Sequence, residues 1–386
     1  MKCSIMKRIF PVLSLIGKFN RKANFIFTEF RQQADFFEAE FQLACFSFAK
    51  FHQIANFLGT EFQEAYFFDT EFHQKADFSG AVFNGRTEFI GTRLIFSTDD
   101  YIKDKGIYGD LKFISFRDAR FLKPSEVFFD HVYLGRVSFI NCNIERVNFR
   151  NVIWEERSGR YVVFDEELLA IKANQKLREE LEQRGLKEEV EVISRSNAIT
   201  LDNVLSVYRR LRENYDYNLK YIESGRFFVS EMEVRRLYRE VITKAKGEHE
   251  IRKNMQTKKT TTQKPLKEDK APIERKCIYN NWFRRNFSII NAYRLLCLYG
   301  ESHIRPIVWA LIVVLTSTVL RLLLHGNLGM LLDINTILGA VEDSVRAFFQ
   351  MGGVTGIDLA ERLLSIPILG VLMLSLRRKF ERRFRH

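Results

Sequence analysis

Large and small side chains recur with a period of five residues in the N-terminal third of the chain. Twelve consecutive units, from A-N-F-I-F to A-V-F-N-G, have Phe at the centre, from Phe25 to Phe83, and two further units centre on Phe89 and Leu94. The residue two positions before the centre is Ala in nine of these units and Thr in five. A five-residue step turns about 140° on an α-helix and changes face on a flat strand, so neither element keeps the Phe side chains together. The pattern predicts a chain that turns a corner after every unit, with both coded positions facing inward.

Three single-residue insertions indicate the length of one coil. Gln33, Ile54 and Lys75 each add one residue between units, and they lie 21 positions apart. Four units plus one residue therefore make a four-sided coil, and outward-facing residues should stack at the same interval. The predicted columns are Glu29 with Lys50 and Glu71, Asp35 with Asn56 and Asp77, and Arg31 with His52 and His73. The two His of the third column suggest a metal site, but no carboxylate or thiol in register completes a ligand set, so a solvated polar ladder is favoured.

This small-then-large code resembles the pattern A-(D/N)-(L/F)-x-x of the pentapeptide-repeat family. The resemblance implies a right-handed quadrilateral β-helix over residues 23–156. After an interruption at residues 97–110 the small position holds bulkier residues, with Cys142 as a core filler, which predicts less regular coils. The later centres are Phe116, Phe121, Phe129, Leu134, Phe139, Ile144, Phe149 and Trp154. The predicted core of the regular coils is Phe36, Phe41, Phe46, Phe51, Phe57, Phe62, Phe67, Phe72, Phe78 and Phe83.

Changes in composition divide the rest of the chain. Residues 1–22 are predicted to cap the first coil, because the end of a β-helix otherwise exposes strand edges. Residues 160–245 place apolar side chains at helical spacing and include a packed helical pair, 203–217 and 221–241, with Gly225 near the break. Residues 246–278 are polar and basic, which is typical of a linker. The expected fold class is a mainly β N-terminal half, then an α-helical segment, then a membrane domain over residues 280–386.

Two apolar runs in the C-terminal quarter predict transmembrane helices at 304–325 and 359–377. For the second run, whose apolar part at 363–376 is only 14 residues long, a buried core helix is the alternative. Arg321 lies near the end of the first run, where it can snorkel to the interface, and residues 281–299 predict an interfacial helix. Lys and Arg crowd both outer flanks, whereas residues 326–360 hold only Arg346. The positive-inside rule then predicts a two-pass protein of the cell (inner) membrane with both termini in the cytoplasm.

The connection between the two runs predicts a re-entrant, pore-like loop at residues 331–358. An apolar stretch is followed by G-G-V-T-G-I-D, in which Gly permits unusual backbone conformations. This plan resembles pentapeptide-repeat membrane proteins with a C-terminal two-helix ion-channel-like domain, and the resemblance implies a homo-oligomeric pore, for which a tetramer is one arrangement. The chain lacks the T-V-G-Y-G of a potassium filter, so potassium selectivity is not implied. The predicted pore-like residues are Gln350, Met351, Gly352, Gly353, Val354, Thr355, Gly356 and Asp358, with Gly370 as the hinge.

Three functional hypotheses remain, and the charge of the repeat segment bears on one of them. The chain carries a net charge of +12, but residues 23–154 hold 18 Asp and Glu against 14 Lys and Arg, a balance of −4. In the first hypothesis, the repeat rod is a cytoplasmic interaction or sensing platform for a channel-like pore. In the second, the same parts form a non-conducting, membrane-tethered scaffold. Some soluble pentapeptide-repeat proteins mimic DNA and bind type II topoisomerases, and the mild acidity of this rod makes a DNA mimic the less favoured third hypothesis.

Motif content gives no support for catalysis. The chain has no G-x-S-x-G, no P-loop, no H-E-x-x-H and no Gly-rich dinucleotide turn. Its five Cys form no C-x-x-C pair. We therefore expect no enzymatic activity, no cofactor and no metal. The expected partners are the lipid bilayer, further copies of the chain and a protein that binds the rod, but no nucleic acid.

Overall fold

The N-terminal half of the chain is a parallel β-solenoid, followed by helices that include two long apolar ones, which confirms the predicted fold class. The computed structural model describes residues 8–10, 13–14, 17–95, 101–102, 107–108, 111–238, 289–324, 334–351 and 356–383. The chain divides into two units, Met1–Thr261 and Thr262–His386, and each is described by itself.

Three parallel sheets run along the solenoid. The first contains Arg8–Phe10, Thr28–Phe30, Lys50–Phe51, Glu71–Phe72 and Arg93–Leu94. The second contains Leu13–Ser14, Ala34–Asp35, Ala55–Asn56, Ala76–Asp77, Ile114–Ser115 and Val137–Ser138. The third covers two sides, because Lys18–Asn24 and Glu40–Cys45 are long enough to continue round a corner. Its other strands are Glu61–Phe62, Val82–Phe83 and Arg120–Phe121 on one side and Ala65–Phe68, Thr87–Ile90, Val127–Asp130 and Asn148–Arg150 on the other.

Four columns of stacked Phe rings fill the interior, one for each side of the coil. Phe57 lies face to face with Phe36 of the preceding coil at 4.8 Å and with Phe78 of the next at 4.5 Å. Rings of neighbouring columns meet edge to face, as Phe46 does with Phe57 at 5.4 Å. The small position makes room for these rings, and its Thr hydroxyls hydrogen-bond to the backbone, as Thr60 does to the Phe36 carbonyl at 2.8 Å. All ten Phe of the predicted core are buried in these columns.

The later coils remain stacked, but their ring-to-ring distances are longer than those around Phe57. The rings of Phe116 and Phe139 are 5.7 Å apart, and those of Phe129 and Phe149 are 5.6 Å apart. Within the interruption, Tyr101–Ile102 and Ile107–Tyr108 pair as antiparallel strands. Ala76–Asp77 pairs directly with Ile114–Ser115 on its far side, so the inserted residues leave the coil stack intact.

Parallel pairing starts earlier than the repeat pattern. Arg8–Phe10 pairs with Thr28–Phe30, and Leu13–Ser14 pairs with Ala34–Asp35. Much of the segment predicted as a cap at residues 1–22 therefore adds a further coil, although it lacks the five-residue code. The predicted right-handedness of the coil stays a prediction.

Helices follow the solenoid after an antiparallel pair, Glu155–Arg157 with Arg160–Val162. They are α1 (Phe164–Ala173), α2 (Gln175–Gln183), α3 (Lys187–Arg195), α4 (Leu201–Tyr217) and α5 (221–238). Asn174 and Thr200 cap α2 and α4 by accepting hydrogen bonds from the third backbone N–H that follows. The break between α4 and α5 lies at residues 218–220, between the two predicted helical stretches, and Gly225 lies near it inside α5. The turn is formed at Leu219, which takes a left-handed backbone conformation with φ of 60°.

Helix α4 covers the open end of the last coil. The Asn214 amide donates hydrogen bonds to the carbonyls of Ile144 and Val147 at 2.9 and 2.7 Å, and Arg210 donates to the carbonyl of Cys142. Among the described strands none continues the stack beyond these carbonyls, and polar side chains of α4 hydrogen-bond to them. The helical segment thus caps the C-terminal end of the solenoid.

The second unit consists of four described helices. They are α6 (Ile289–Cys297), which continues as a 3-10 turn at Leu298–Gly300, α7 (Ile304–Leu324), α8 (Ile334–Phe348) and α9 (Gly356–Arg383). Helix α7 and the Gly356–Glu381 part of α9 are long and apolar enough to cross a membrane. Helix α9 begins before the predicted boundary at 359 and extends beyond 377. The first part of the predicted interfacial helix, residues 281–288, lies outside the described residues.

Candidate functional site

The predicted pore-like residues occupy three places in the second unit. Gln350 and Met351 follow the end of α8, Gly356 and Asp358 lie in the first turn of α9, and Gly370 lies in the middle of α9. The remaining ones, Gly352, Gly353, Val354 and Thr355, lie outside the described residues. Gly370 is part of a continuous helix, three residues after a proline inside that helix, Pro367.

A buried ionic cluster joins the three helices of this region. The Arg321 guanidinium of α7 lies 2.5 Å from an Asp358 carboxylate oxygen and donates to Glu361 of α9 at 2.9 Å. It also donates to the Ser344 hydroxyl of α8 at 3.0 Å. All four residues are buried. The sequence predicts that Arg321 can snorkel to the interface, but its planar guanidinium, which has several donors, lies between three partners on α8 and α9.

A second cluster, of apolar side chains, shows in which direction α8 runs. Val313 of α7, Phe348 of α8 and Ile368 of α9 form a separate buried apolar cluster. From the ionic cluster to this apolar cluster the residue numbers decrease along α7, over about 12 Å of helix, whereas they increase along α8 and α9. Helix α8 is therefore antiparallel to α7 and parallel to α9, and its C-terminal end lies at the middle of both longer helices.

The chain turns back immediately after α8. The Gln350 side chain donates to the Ser365 hydroxyl at 2.8 Å, and the Arg362 guanidinium donates to the Met351 carbonyl at 3.0 Å. Gln350 has a left-handed φ of 64°, which marks the reversal. Residues 334–348 thus run from the Arg321 end of α7 to the middle of α7 and α9. After them, residues 350–351 turn back toward the N-terminal end of α9.

The outward columns of the solenoid follow the predicted register. Glu29 pairs with Lys50, Lys50 with Glu71, and Glu71 with Arg93, so charges alternate along the column. Lys50 lies 2.7 Å from the Glu71 carboxylate, and its hydrogen bond lowers the pKa of Glu71. Asn56 of the second predicted column donates to Asp35 at 2.8 Å. These contacts are typical of a solvated polar ladder.

The predicted His column contains a stacked pair, His52 and His73, with ring centres 4.9 Å apart. Desolvation lowers the pKa of His73, and the neighbouring His52 lowers it further. Within the described part of the chain, no group of three or more His, Cys, Asp or Glu is placed to hold a metal ion. Cys142 is completely buried, and desolvation strongly raises its pKa, so its thiol is not a nucleophile in the folded state.

Three buried carboxylates, Asp165, Glu166 and Glu167, lie in the first turn of α1, and sequence patterns gave no sign of them. Asp165 accepts hydrogen bonds from the Ser138 hydroxyl at 2.5 Å and from the Phe139 N–H at 3.0 Å. Burial raises the pKa of Asp165 to about 6 despite these bonds. Burial also raises the pKa of Glu167 to about 7, although Arg157 pairs with it. Their partners place them at the junction of solenoid and helices, where they tie α1 to the final coils.

Comparison of the chain with protein-family models, with curated proteins and with solved structures finds no match. The solenoid spacing of about 21 residues and the two long apolar helices are properties read from this chain itself. Together they are compatible with a membrane-anchored repeat protein.

Proposed function

We propose that this chain is a membrane-anchored pentapeptide-repeat protein whose C-terminal unit is one subunit of an oligomeric, channel-like pore. In this proposal the solenoid is a cytoplasmic platform for interaction or sensing. The chain acts without enzymatic chemistry or a cofactor, and its partners are the bilayer, further copies of itself and a protein bound to the rod. The five-residue code and the four Phe columns support the pentapeptide-repeat assignment.

The direction of α8 carries the proposal of a pore. Val313 lies about 14 Å from the start and about 16 Å from the end of α7, which is half of a hydrocarbon core of about 30 Å. If α7 and α9 span the bilayer, Phe348 at the level of Val313 brings α8 to mid-membrane. Residues 334–351 are then a re-entrant segment. Backbone that is not helical at this depth is tolerated where it is buried in protein or lines a water-filled path.

Oligomerisation is part of the proposal, because two spans and one re-entrant helix enclose no pore. Both α7 and α9 expose many large apolar side chains, which further subunits or lipid can cover. We take a tetramer as the working arrangement. Basic residues on both outer flanks place the N- and C-terminal ends of the chain in the cytoplasm in this proposal.

The DNA-mimic alternative is weaker. Mimicry of a phosphate backbone needs a continuous row of negative charge. The column Glu29–Lys50–Glu71–Arg93 alternates in sign instead.

Ion flux from liposomes that contain the purified full-length protein tests the pore. The test variant replaces Gly352 and Gly353 with Trp, and the matched control replaces Leu311, an exposed residue of α7, with Trp. We expect flux from the unaltered protein and from Leu311→Trp, and loss or change of flux in the Gly352/Gly353 variant. Absence of flux from inserted, folded, oligomeric protein would contradict the pore and favour the non-conducting scaffold.

A further inference from the structure

A small cavity lies between the second sheet of the solenoid and the helices that follow the solenoid. Its volume is about 50 Å³. Much of its wall is apolar and buried, and both sides contribute: Ile140 comes from the solenoid, Leu168 from α1, Ile193 from α3 and Ile199 from the segment before α4. Since one water needs about 10–15 Å³ of such space, the cavity holds a chain of about three or four carbon atoms.

Polar groups on the solenoid side of the wall are already engaged with neighbouring residues. The Ser115 hydroxyl shares a hydrogen bond of 2.9 Å with a neighbouring serine, and the Ser138 hydroxyl donates to Asp165 at 2.5 Å. Lys75 also lines the cavity, and its ammonium lies 2.6 Å from the Asp77 carboxylate. The interior therefore favours an apolar group over a polar one.

Two half-buried residues of the cavity wall, Arg117 and Ser196, contact each other and offer hydrogen-bond donors. The Arg117 guanidinium donates to the Ser196 hydroxyl at 3.3 Å, which leaves the Ser196 O–H and further N–H groups of Arg117 to bind an acceptor. Lys172 donates to the Ser196 carbonyl at 2.5 Å and so holds this residue in place. Asp118 lies 3.8 Å from Arg117 Nε, but its side chain is exposed, so it neutralises the guanidinium only in part.

We propose that this cavity binds a short-chain aliphatic monocarboxylate of the size of butyrate. The carboxylate accepts charge-assisted hydrogen bonds from Arg117 and a hydrogen bond from Ser196. The alkyl chain lies among the apolar side chains of the solenoid, α1 and α3, where its three carbons fill the space. All residues of the site belong to the first unit, so this inference depends neither on membrane insertion nor on the pore.

Displacement of 4-fluorobutyrate, followed by fluorine NMR, tests the site in the full-length protein in detergent. Binding broadens the fluorine resonance, competing acids restore the narrow line, and protein-free micelles give the background. We expect butyrate to displace the probe, with propionate about fourfold weaker and acetate about fourfold weaker again, because each missing methylene forfeits its burial. Butyramide, which has the same shape without the charge, should be about tenfold weaker than butyrate.

Two variants and one control locate the binding. Arg117→Gln should weaken displacement by butyrate about tenfold, since the charged donor is lost. Val192 also lines the cavity but is 65% exposed, so Val192→Trp should cover the opening and abolish binding without a change in the buried core. Arg93→Gln should leave binding unaltered, because Arg93 pairs with Glu71 on the first sheet of the solenoid.

Any of four results would overturn the site. Equal displacement by butyrate and butyramide would show that no anion is recognised, and affinity independent of chain length would show that no alkyl chain enters the cavity. Equal weakening in Arg117→Gln and Arg93→Gln would show that only net charge matters. Broadening that persists in Val192→Trp would place the probe elsewhere. The series of acids needs no variant, so a variant that fails to fold leaves the test intact.

Discussion

Each Phe of the regular coils is held by rings above, below and beside it, so its removal leaves a cavity that neighbours in a stacked column cannot fill. Phe57 is completely buried between Phe36 and Phe78. We expect Phe57→Ala to lower the free energy of unfolding of the solenoid by about 3–5 kcal/mol. Chemical denaturation of the full-length protein in detergent, followed by circular dichroism of the β signal, measures this change.

Phe48 provides the matched control within the same coils. Its side chain is 44% exposed, and its backbone is left-handed with φ of 59°, a conformation that is costly for a bulky residue. We expect Phe48→Asn to change the stability by less than about 1 kcal/mol, because lost ring contacts are offset by relief of the backbone. Equal losses in the two variants would contradict the four-column core.

Asp165 makes solenoid stability depend on pH. Its pKa is about 6 in the folded protein against an ordinary value of 3.8, so the folded state binds the proton more tightly than the unfolded state. The stabilisation that comes from this proton is present below about pH 4 and is lost as the pH rises through 6, by an amount on the order of 3 kcal/mol.

Asp165→Asn keeps the shape of the side chain without the titration. We expect the free energy of unfolding of the unaltered protein, relative to that of Asp165→Asn, to fall between pH 4 and pH 7. Denaturation curves of both proteins across this range measure the difference. Parallel pH profiles would show that Asp165 is ionised throughout and that its two hydrogen bonds outweigh burial.

At the scale of helices, the ionic cluster holds α8 between its two neighbours. Arg321→Gln leaves Asp358 and Glu361 buried without their guanidinium, and loss of one partner of a buried ion pair costs about 3–5 kcal/mol. We expect a clearly lower midpoint of thermal unfolding in detergent, and partial recovery in the double variant Arg321→Gln/Glu361→Gln.

Arg346→Gln is the control for this cluster. Arg346 belongs to α8 and pairs with Glu342, but both side chains are exposed, so the pair contributes about 0–1 kcal/mol. A midpoint for Arg321→Gln no lower than that for Arg346→Gln would show that the cluster does not hold the helices together.

The solenoid could be predicted from sequence because its code is local: every unit repeats the same small and large residues, and each insertion repeats after one coil. The ionic cluster could not, because its partners come from three helices and no periodicity links Arg321 to Glu361. The sequence held only a weak signal, one cation near the end of the first apolar run and two carboxylates at the start of the second. The break between α4 and α5 follows from the helical spacing of the residues on either side, but the left-handed backbone of Leu219 could not be predicted, since this conformation is uncommon for a residue other than Gly.

At the scale of the whole molecule, the proposed topology places both ends of the chain on one side of the membrane. In a background without the five native Cys, we introduce single cysteines by Gln74→Cys in the solenoid, Asn335→Cys in α8 and Glu381→Cys in α9. An impermeant maleimide added to intact cells should label position 335 alone. Positions 74 and 381 should react only after permeabilisation. Labelling of position 381 in intact cells would reverse the orientation, and a position 335 that stays unlabelled in both conditions, while positions 74 and 381 react after permeabilisation, would mark a buried α8.

What lies beyond the repeats could be predicted only in outline. The two long apolar helices follow from length and hydropathy alone, but the inward course of α8 depends on packing between Phe348 and its neighbours. The additional coil that starts at Arg8 has no five-residue code at all, and it is held by backbone hydrogen bonds to the coil above, which are independent of side-chain identity.

The nearest-neighbour pairing of coils also gives the solenoid a mechanical character. Among the described strands, each coil pairs with the coil before it and the coil after it, so tension applied at one end loads a single layer at a time. A coil of 21 residues releases about 70 Å of extended chain when it detaches. Stretching a single molecule should therefore yield a staircase of nearly equal steps, interrupted by one longer step where residues 97–110 are drawn out. We therefore expect the solenoid to lengthen in discrete steps under tension rather than to unfold in a single event.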